Sequence, residues 1–167
     1  ALASLLACQG LLGPAPDLVV SGINPGWNVG HAVHFSGTIG ACITANMFSI
    51  PCIAVSQHTA GDAQQWPTAA QAAVDQIERV MASGELLNVN VPNVAMDEVV
   101  GVTDTTLSRR IPYGLHSPRL HHVADGRSRV TFERFGPYES PPGCDTDAVL
   151  AGCISVTALH STRAVIG

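Results

Sequence analysis

The chain has 167 residues, of which 46% are hydrophobic and only 13% are charged, and its formal net charge is −5. This composition excludes disordered and fibrous proteins and predicts one compact globular domain. A broad nucleic-acid surface needs excess positive charge to displace counterions, so we expect no stable binding of nucleic acid. No apolar run approaches the roughly 18 residues that a membrane span needs, so we expect no membrane insertion.

Cysteine usage and the first residues indicate the cellular context. Five cysteines are present, and no two have the C-x-x-C spacing of a zinc or redox site,. We therefore expect reduced thiols in a cytoplasmic protein. The chain begins in helical rhythm without a cap, and no basic segment precedes its apolar start, so we favour truncation of a longer chain over a signal peptide.

The first half alternates between helix and strand patterns. We predict the end of a helix over Ala1–Leu12, a buried strand over Asp17–Ser21, a glycine-rich loop over Gly22–Phe35, a helix that begins at Ser36, and a second buried strand over Ile50–Ser56,. Together these elements predict a βαβ unit, in which the two strands run parallel.

The same pattern continues and then changes. We predict a polar loop over Gly61–Trp66, a helix over Pro67–Ala82 with Gly84 after its end, and a strand over Leu86–Pro92,. The parallel α/β part then ends with Val99–Thr103. Beyond residue 103 the pattern becomes β-rich. We expect an arm over Leu107–Val123, an antiparallel strand over Arg129–Phe135, a loop over Gly136–Gly143, and a closing strand over Ile154–Leu159,.

One domain therefore accounts for residues 1–167. Residues 1–103 form its parallel α/β part, residues 104–143 an arm with an antiparallel hairpin, and residues 144–167 the closing strand and tail. The expected class is α/β.

Chemistry concentrates where the first predicted strand ends. Ligands of open α/β sheets bind at the carboxyl ends of the strands, and there Asn24 and Asn28 stand among several glycines,. The loop leads into Ser36-Gly37-Thr38 at a helix start, where unpaired N–H groups and two hydroxyls predict a phosphate-sized anion site,. The alternative is a tight connection whose glycines serve turns only.

Several motifs occur in the order of one known family. They are Pro16–Gly30, Phe35–Ala41, Ile50–Ser56, Leu87–Pro92, Gly143–Asp145 and Gly152–Leu159. With Ser21-Gly-Ile-Asn24 at its centre, the first motif closely resembles the signature of the SurE family, the survival-protein nucleotidases. The resemblance implies a SurE-like three-layer α/β/α fold with a Rossmann-like parallel sheet.

The resemblance also implies an activity and a site. The activity is hydrolysis of nucleoside 5′- and 3′-monophosphates with a divalent cation, Mn²⁺ or Mg²⁺, in a homodimer or homotetramer. In the family the metal is held by two adjacent aspartates, a serine, and the asparagine that corresponds to Asn24. The residues implied at the phosphate or in its pocket are Gly22, Asn28, Gly30, Ser36, Gly37 and Thr38.

This sequence departs from the family in its metal ligands. No adjacent aspartates occur in the 167 residues. One neutral amide cannot hold a hard dication, so we expect the isolated chain to be inactive. A catalytically dead scaffold that binds nucleotide or phosphate remains the alternative function. A dehydrogenase is disfavoured, because the glycine pattern is not a dinucleotide fingerprint.

Other side chains are weaker candidates. Close to the phosphate loop, His31 and His34 either support binding or fill the loop, and Asp145 either braces the loops or caps a turn,. Trp27 and Trp66 either stack on a nucleotide base or pack over the hydrophobic core. A metal-binding or acid–base role competes with a solvated loop or lid for His116, His121 and His122,. Contact with a nucleotide or polyphosphate competes with a solvated arm for Arg109, Arg110 and Arg119.

Overall fold

The structure is a computed structural model, and it describes residues 1–59, 61, 63–109, 116–133 and 141–160. The strands are β1 (Val19–Pro25), β2 (Cys52–Gln57), β3 (Leu86–Val91), β4 (Gly101–Asp104), β5 (His116–His122), β6 (Ser128–Glu133) and β7 (Cys153–Leu159). The α-helices are α1 (Leu2–Cys8), α2 (Gly37–Asn46), α3 (Trp66–Val74), α4 (Ile77–Ser83) and α5 (Asp145–Leu150). Two 3-10 helices span Gly30–Phe35 and Met96–Glu98.

One mixed sheet organises the fold, with the strand order β1-β2-β3-β7-β4. Strands β1, β2 and β3 are parallel, and β1, α2 and β2 form the predicted βαβ unit. Strand β7 runs antiparallel to β3, and β4 pairs in parallel with β7. Strand β4 therefore runs opposite to β1, β2 and β3. The assignment of all residues up to 103 to a parallel part was wrong for this strand.

Helices cover both faces of this sheet. On one face, β2 and β3 bury Ile53 and Val89 against α3, whose Ala69 and Ala72 belong to the same apolar cluster. On the other face, Cys52 and Leu86 lie in a cluster with Ile39, Cys42 and Ala45 of α2. The predicted three-layer α/β/α arrangement is confirmed. None of the helices in the described part of the chain is long and apolar enough to cross a membrane.

The helix predicted over Pro67–Ala82 is two helices, so the prediction of one continuous helix was wrong. The N–H of Gln76 donates to the carbonyl of Ala73, three residues back, and this tightened turn ends α3,. Apolar periodicity continues through such a short interruption, and for that reason the pattern did not reveal it. Gly84 follows α4 in the left-handed conformation with φ of +71°, as its position predicts,.

The loop predicted over Gly22–Phe35 is also partly wrong, because β1 continues to Pro25 and a 3-10 helix begins at Gly30. The strand continues through a β-bulge. Ser21 pairs with Ala54 and Asn24 pairs with Ser56, so β1 uses one residue more than β2 over this stretch,. Gly22 lies inside the bulge with φ of +139°, a conformation that side chains disfavour,.

The β-rich part forms the predicted antiparallel hairpin from β5 and β6. Asp125 and Gly126 adopt positive φ between the two strands, which closes the turn,. Several predictions lie outside the described residues: the contact assigned to Arg110, the end of the strand at Arg134 and Phe135, the loop residues 136–140, and the tail 161–167.

Candidate functional site

The α2 face of the sheet changes from apolar to polar toward the carboxyl ends of β1, β2 and β3. On β3, Leu86 is followed on the same face by Asn88 and Asn90, and on β2 Ala54 is followed by Ser56,. The buried polar side chains on this face of the sheet are Ser56, Asn88, Asn90, Ser155 and Thr157, each at most 3% exposed. Since buried polar groups need hydrogen-bond partners, this layer requires polar groups above it.

Asn28 supplies those partners from the glycine-rich loop. Its N–H donates to Asn90 Oδ1 at 2.7 Å, and its carbonyl accepts from Asn88 Nδ2 at 2.8 Å and from Asn90 Nδ2 at 3.1 Å. Its own Nδ2 donates to Ser56 Oγ at 2.6 Å. The residue is 7% exposed, so these bonds form out of water. Asn28 therefore anchors the loop to β2 and β3.

A buried carboxylate fixes the next part of the loop. Asp145, which is fully buried, accepts the N–H of Gly30 at 2.7 Å and the N–H of Ser108 at 2.9 Å. It also accepts the N–H of Thr146 at 2.8 Å, in the first turn of α5. The carboxylate of Asp145 therefore joins the segments that contain Gly30 and Ser108, and it also accepts an N–H in the first turn of its own helix.

The start of α2 is an open helix N-terminus. Ser36 is its N-cap, and Ser36 Oγ accepts the N–H of Ile39 at 3.2 Å,. Among the described residues, no hydrogen bond occupies the N–H of Gly37 or Thr38. A Cβ added at Gly37 would meet nothing within 4 Å, so the space beside these donors is open. Donors in this arrangement attract an anion, because the helix dipole adds positive potential there.

Asn24 lies at the carboxyl end of β1, opposite Ser56 of β2. Its Nδ2 donates to the carbonyl of Gly26, which leaves Oδ1 as the atom that could bind a cation,. No group of three or more His, Cys, Asp or Glu residues in the described part of the chain could hold a metal ion. A hard dication takes about six oxygens, several of them carboxylate. The described residues therefore do not complete a dication site.

The aromatic and imidazole candidates fall into three places. His31 and His34, both exposed on the 3-10 helix that leads to Ser36, have ring centroids 6.2 Å apart. Trp27 stacks on His58 with centroids 4.3 Å apart, and burial lowers the pKa of His58,. In contrast, Trp66 is 39% exposed and begins α3.

The arm candidates make contacts within the hairpin. His121 bonds Thr131 at 2.9 Å between Nε2 and Oγ1, and His122 bonds Ser128 at 3.2 Å between Nδ1 and Oγ. Both histidines are exposed, and so is Arg109. No described hydrogen bond joins these residues to the glycine-rich loop.

Three residues of the buried layer were not predicted as site residues: Ser56, Asn88 and Asn90. A signal for two of them exists in the sequence Leu86-Leu-Asn-Val-Asn-Val91, where polar amides alternate with apolar residues in a strand whose other face is core. An amide at every second position of a buried strand indicates a polar face with partners elsewhere.

Several known proteins are similar to this chain in sequence. The family model described as "Survival protein SurE" matches residues 1–113. A protein of Brucella canis named 5'-nucleotidase SurE is 38% identical, over 93% of this chain and 64% of its own length. A protein of the same name from Brucella abortus is 37% identical with the same coverage. This chain therefore spans about two thirds of the length of these curated relatives.

A solved structure shares the fold. The crystal structure of the SurE protein from Aquifex aeolicus matches with a TM-score of 0.77 and 30% identity, over 97% of this chain and 66% of that one. The family model covers more than half of the chain, and the relatives exceed 30% identity over most of it. The chain therefore belongs to the SurE family.

Proposed function

We propose that this chain forms part of a phosphatase that hydrolyses nucleoside 5′- and 3′-monophosphates, with Mn²⁺ or Mg²⁺ as cofactor. One observation carries the proposal: the open N-terminus of α2, at Ser36, Gly37 and Thr38, follows the glycine loop that leaves the carboxyl end of β1. This is where open α/β sheets bind ligands. The name of the curated relatives, 5'-nucleotidase SurE, supports a nucleotide as the ligand.

The chain's own residues bind and orient the phosphoryl group in this proposal. Ser36 Oγ accepts a hydrogen bond from Ile39, so its hydroxyl hydrogen is free to donate to a phosphoryl oxygen,. The N–H groups of Gly37 and Thr38 donate to the same group. Such preorganised donors stabilise negative charge that develops during phosphoryl transfer. Gly22, Asn28, Gly30, Asp145 and His34 support the loop around the phosphoryl group.

The metal is proposed with a limited role for the described residues. A divalent cation supplies Lewis-acid chemistry to phosphate hydrolysis. Asn24 contributes one neutral oxygen to it, and the resemblance assigns the acidic ligands to an aspartate pair that this sequence does not contain. We therefore propose no reaction step through the ion on these residues alone.

Replacing Asn24 with alanine tests this assignment in an extended protein, in which the adjacent-aspartate segment of a relative precedes Ala1. We expect Mn²⁺ affinity, measured by calorimetry, to fall about tenfold or more, because the loss of even an outer-shell partner has effects of that size. Phosphate release from AMP at limiting Mn²⁺ should fall in parallel.

Asn46→Ala is the matched control, since Asn46 ends α2 and its amide binds only the carbonyl of Gly84. It should leave both quantities unchanged. Unchanged Mn²⁺ affinity and unchanged phosphate release in the Asn24 variant would remove Asn24 from the metal site.

A catalytically dead nucleotide-binding or phosphate-binding scaffold is the second candidate. The start of α2 supports it, because unpaired N–H groups at a helix start would bind a phosphate without a metal ion,. The two functions differ in one assay. An extended protein that binds AMP but releases no phosphate with either Mn²⁺ or Mg²⁺ is a scaffold, and one that releases phosphate is the enzyme.

Location and assembly follow as parts of the same proposal. We propose a cytoplasmic protein that acts as a homodimer or homotetramer. The five free cysteines, four of them buried, support a reducing compartment,.

A further inference from the structure

The peptide groups on both sides of Asn28 make no hydrogen bonds of a β-ladder, because β1 ends at Pro25. Side chains of β3 replace those bonds. Asn90 accepts the N–H of Asn28 through Oδ1 and donates to its carbonyl through Nδ2, so one amide holds both polar groups of a single residue. A neighbouring strand would form the same two bonds.

Asn88 strengthens the hold from the same face of β3. Its Nδ2 donates to the carbonyl of Asn28 at 2.8 Å, while its buried Oδ1 has no hydrogen-bond partner among the residues that the structure describes. The opposite amide orientation would point oxygen at the carbonyl oxygen of Asn28, which is repulsive, so this bond fixes the orientation. The hydrogen bond to Asn28 is therefore formed in an orientation that leaves Oδ1 of Asn88 without a partner among the described residues.

Burial makes these contacts decisive for the loop. Asn88 and Asn90 are fully buried, so water cannot replace a lost bond at either side chain,. Two residues beyond Asn28, the N–H of Gly30 is held by Asp145. One fixed point therefore precedes the 3-10 helix and the other lies at its first residue, and this helix leads through Phe35 to Ser36 at the start of α2.

We propose that Asn90, assisted by Asn88, is a positioning residue that fixes the glycine loop on β3 and thereby sets the geometry of the phosphate donors at Ser36, Gly37 and Thr38. The inference rests on the proposed function and deepens it, because it assigns a role to two buried amides that do not touch the phosphate. In this proposal, the effect of the two amides on the loop is separate from their effect on the stability of the sheet.

Three variants of the 167-residue chain test the proposal by NMR. Asn90→Leu removes both bonds from Asn90, and Asn88→Leu removes one bond and keeps the Asn90 pair. Thr157→Val is the control: Thr157 is 3% exposed, pairs with Asn88 across β3 and β7, and bonds Thr105 Oγ1 at 2.7 Å. None of its described side-chain hydrogen bonds joins the glycine loop.

We expect hydrogen exchange of the Asn28 amide to accelerate about tenfold or more in Asn90→Leu, and less in Asn88→Leu, because fewer bonds are lost. The amide shifts of Gly37 and Thr38 should move, and AMP affinity should fall about tenfold at a temperature where the variant is folded. Thr157→Val should leave the shifts and the affinity at wild-type values, whatever its melting temperature.

Unchanged exchange at Asn28 in either leucine variant would overturn the proposal, as would equal effects in Thr157→Val. If Asn90→Leu fails to fold, Asn88→Leu decides by the same readouts. If the wild-type chain binds no AMP, the proposed function fails, and the exchange and shift measurements still decide whether β3 positions the loop.

Discussion

Replacing Gly22 with alanine is expected to destabilise the protein by about 3 kcal/mol or more, because backbone strain and overpacking each cost about 1–3 kcal/mol. The backbone of Gly22 has φ of +139°, and a Cβ there would overlap the carbonyl oxygen of Val55 and lie 3.2 Å from its carbonyl carbon. Neither Val55 atom can move without disturbing β2, where Val55 pairs with Val89. Urea denaturation measures the loss.

Gly40→Ala is the control for this substitution. Gly40 lies within α2 without positive φ, and a Cβ there would meet nothing within 4 Å. We expect it to stabilise the protein by about 0.5–1 kcal/mol, the usual advantage of alanine in a helix. If the urea midpoint of Gly22→Ala were the same as that of the wild type, the β-bulge would not have the geometry described.

Asp145→Ala is the second substitution with a large expected effect. It would leave the N–H groups of Gly30, Ser108 and Thr146 buried without their acceptor, and each unsatisfied donor costs about 1–3 kcal/mol,. We therefore expect a loss of about 3 kcal/mol or more by urea denaturation. The loop that carries Gly30 should also exchange its amide hydrogens faster.

Asp147→Ala provides a matched control two residues further along α5. Asp147 is half-buried, and its carboxylate accepts the N–H of exposed Gly143 at 3.3 Å. We expect a change of about 0.5 kcal/mol or less, the usual size for a surface substitution. Equal effects of the two substitutions would show that Asp145 does not brace the loops.

Sequence patterns predicted the elements whose causes are local. The β-branched run Val19-Val20, the run Cys52–Val55 and the alternation over Leu86–Val91 each became strands, since apolar runs bounded by turn residues have few other solutions in a chain of this size,. The helix predicted from Ser36 also formed, and Ser36 is its N-cap, because its hydroxyl oxygen accepts an N–H that the helix leaves unpaired,.

Features that depend on contacts between distant segments were not predicted. The bulge at Gly22 arises from pairing with β2, and a glycine among turn residues gave only the pattern of a loop. The break at Gln76 involves a single tightened turn that apolar periodicity does not register,. The bulge therefore reflects a tertiary contact that no local pattern encodes, whereas the break at Gln76 is a local change that is too short to interrupt the apolar period.

The candidate site shows the same division. Ser36, Gly37 and Thr38 could be proposed from sequence, because a helix start after a glycine loop has a known chemical consequence. The roles of Asn88 and Asn90 required the structure, since they depend on a loop that lies about 60 residues earlier in the chain. Polar residues in a buried strand signal a partner without identifying it.

The central claim, that the start of α2 binds the phosphate of a nucleotide, is tested most directly by NMR titration of the ¹⁵N-labelled chain with AMP and, separately, with adenosine. The account predicts that AMP shifts the amide signals of Gly37 and Thr38 in a saturable manner, while adenosine leaves both unchanged. If AMP left these two signals unmoved, or adenosine moved them equally, the start of α2 would not be a phosphate site.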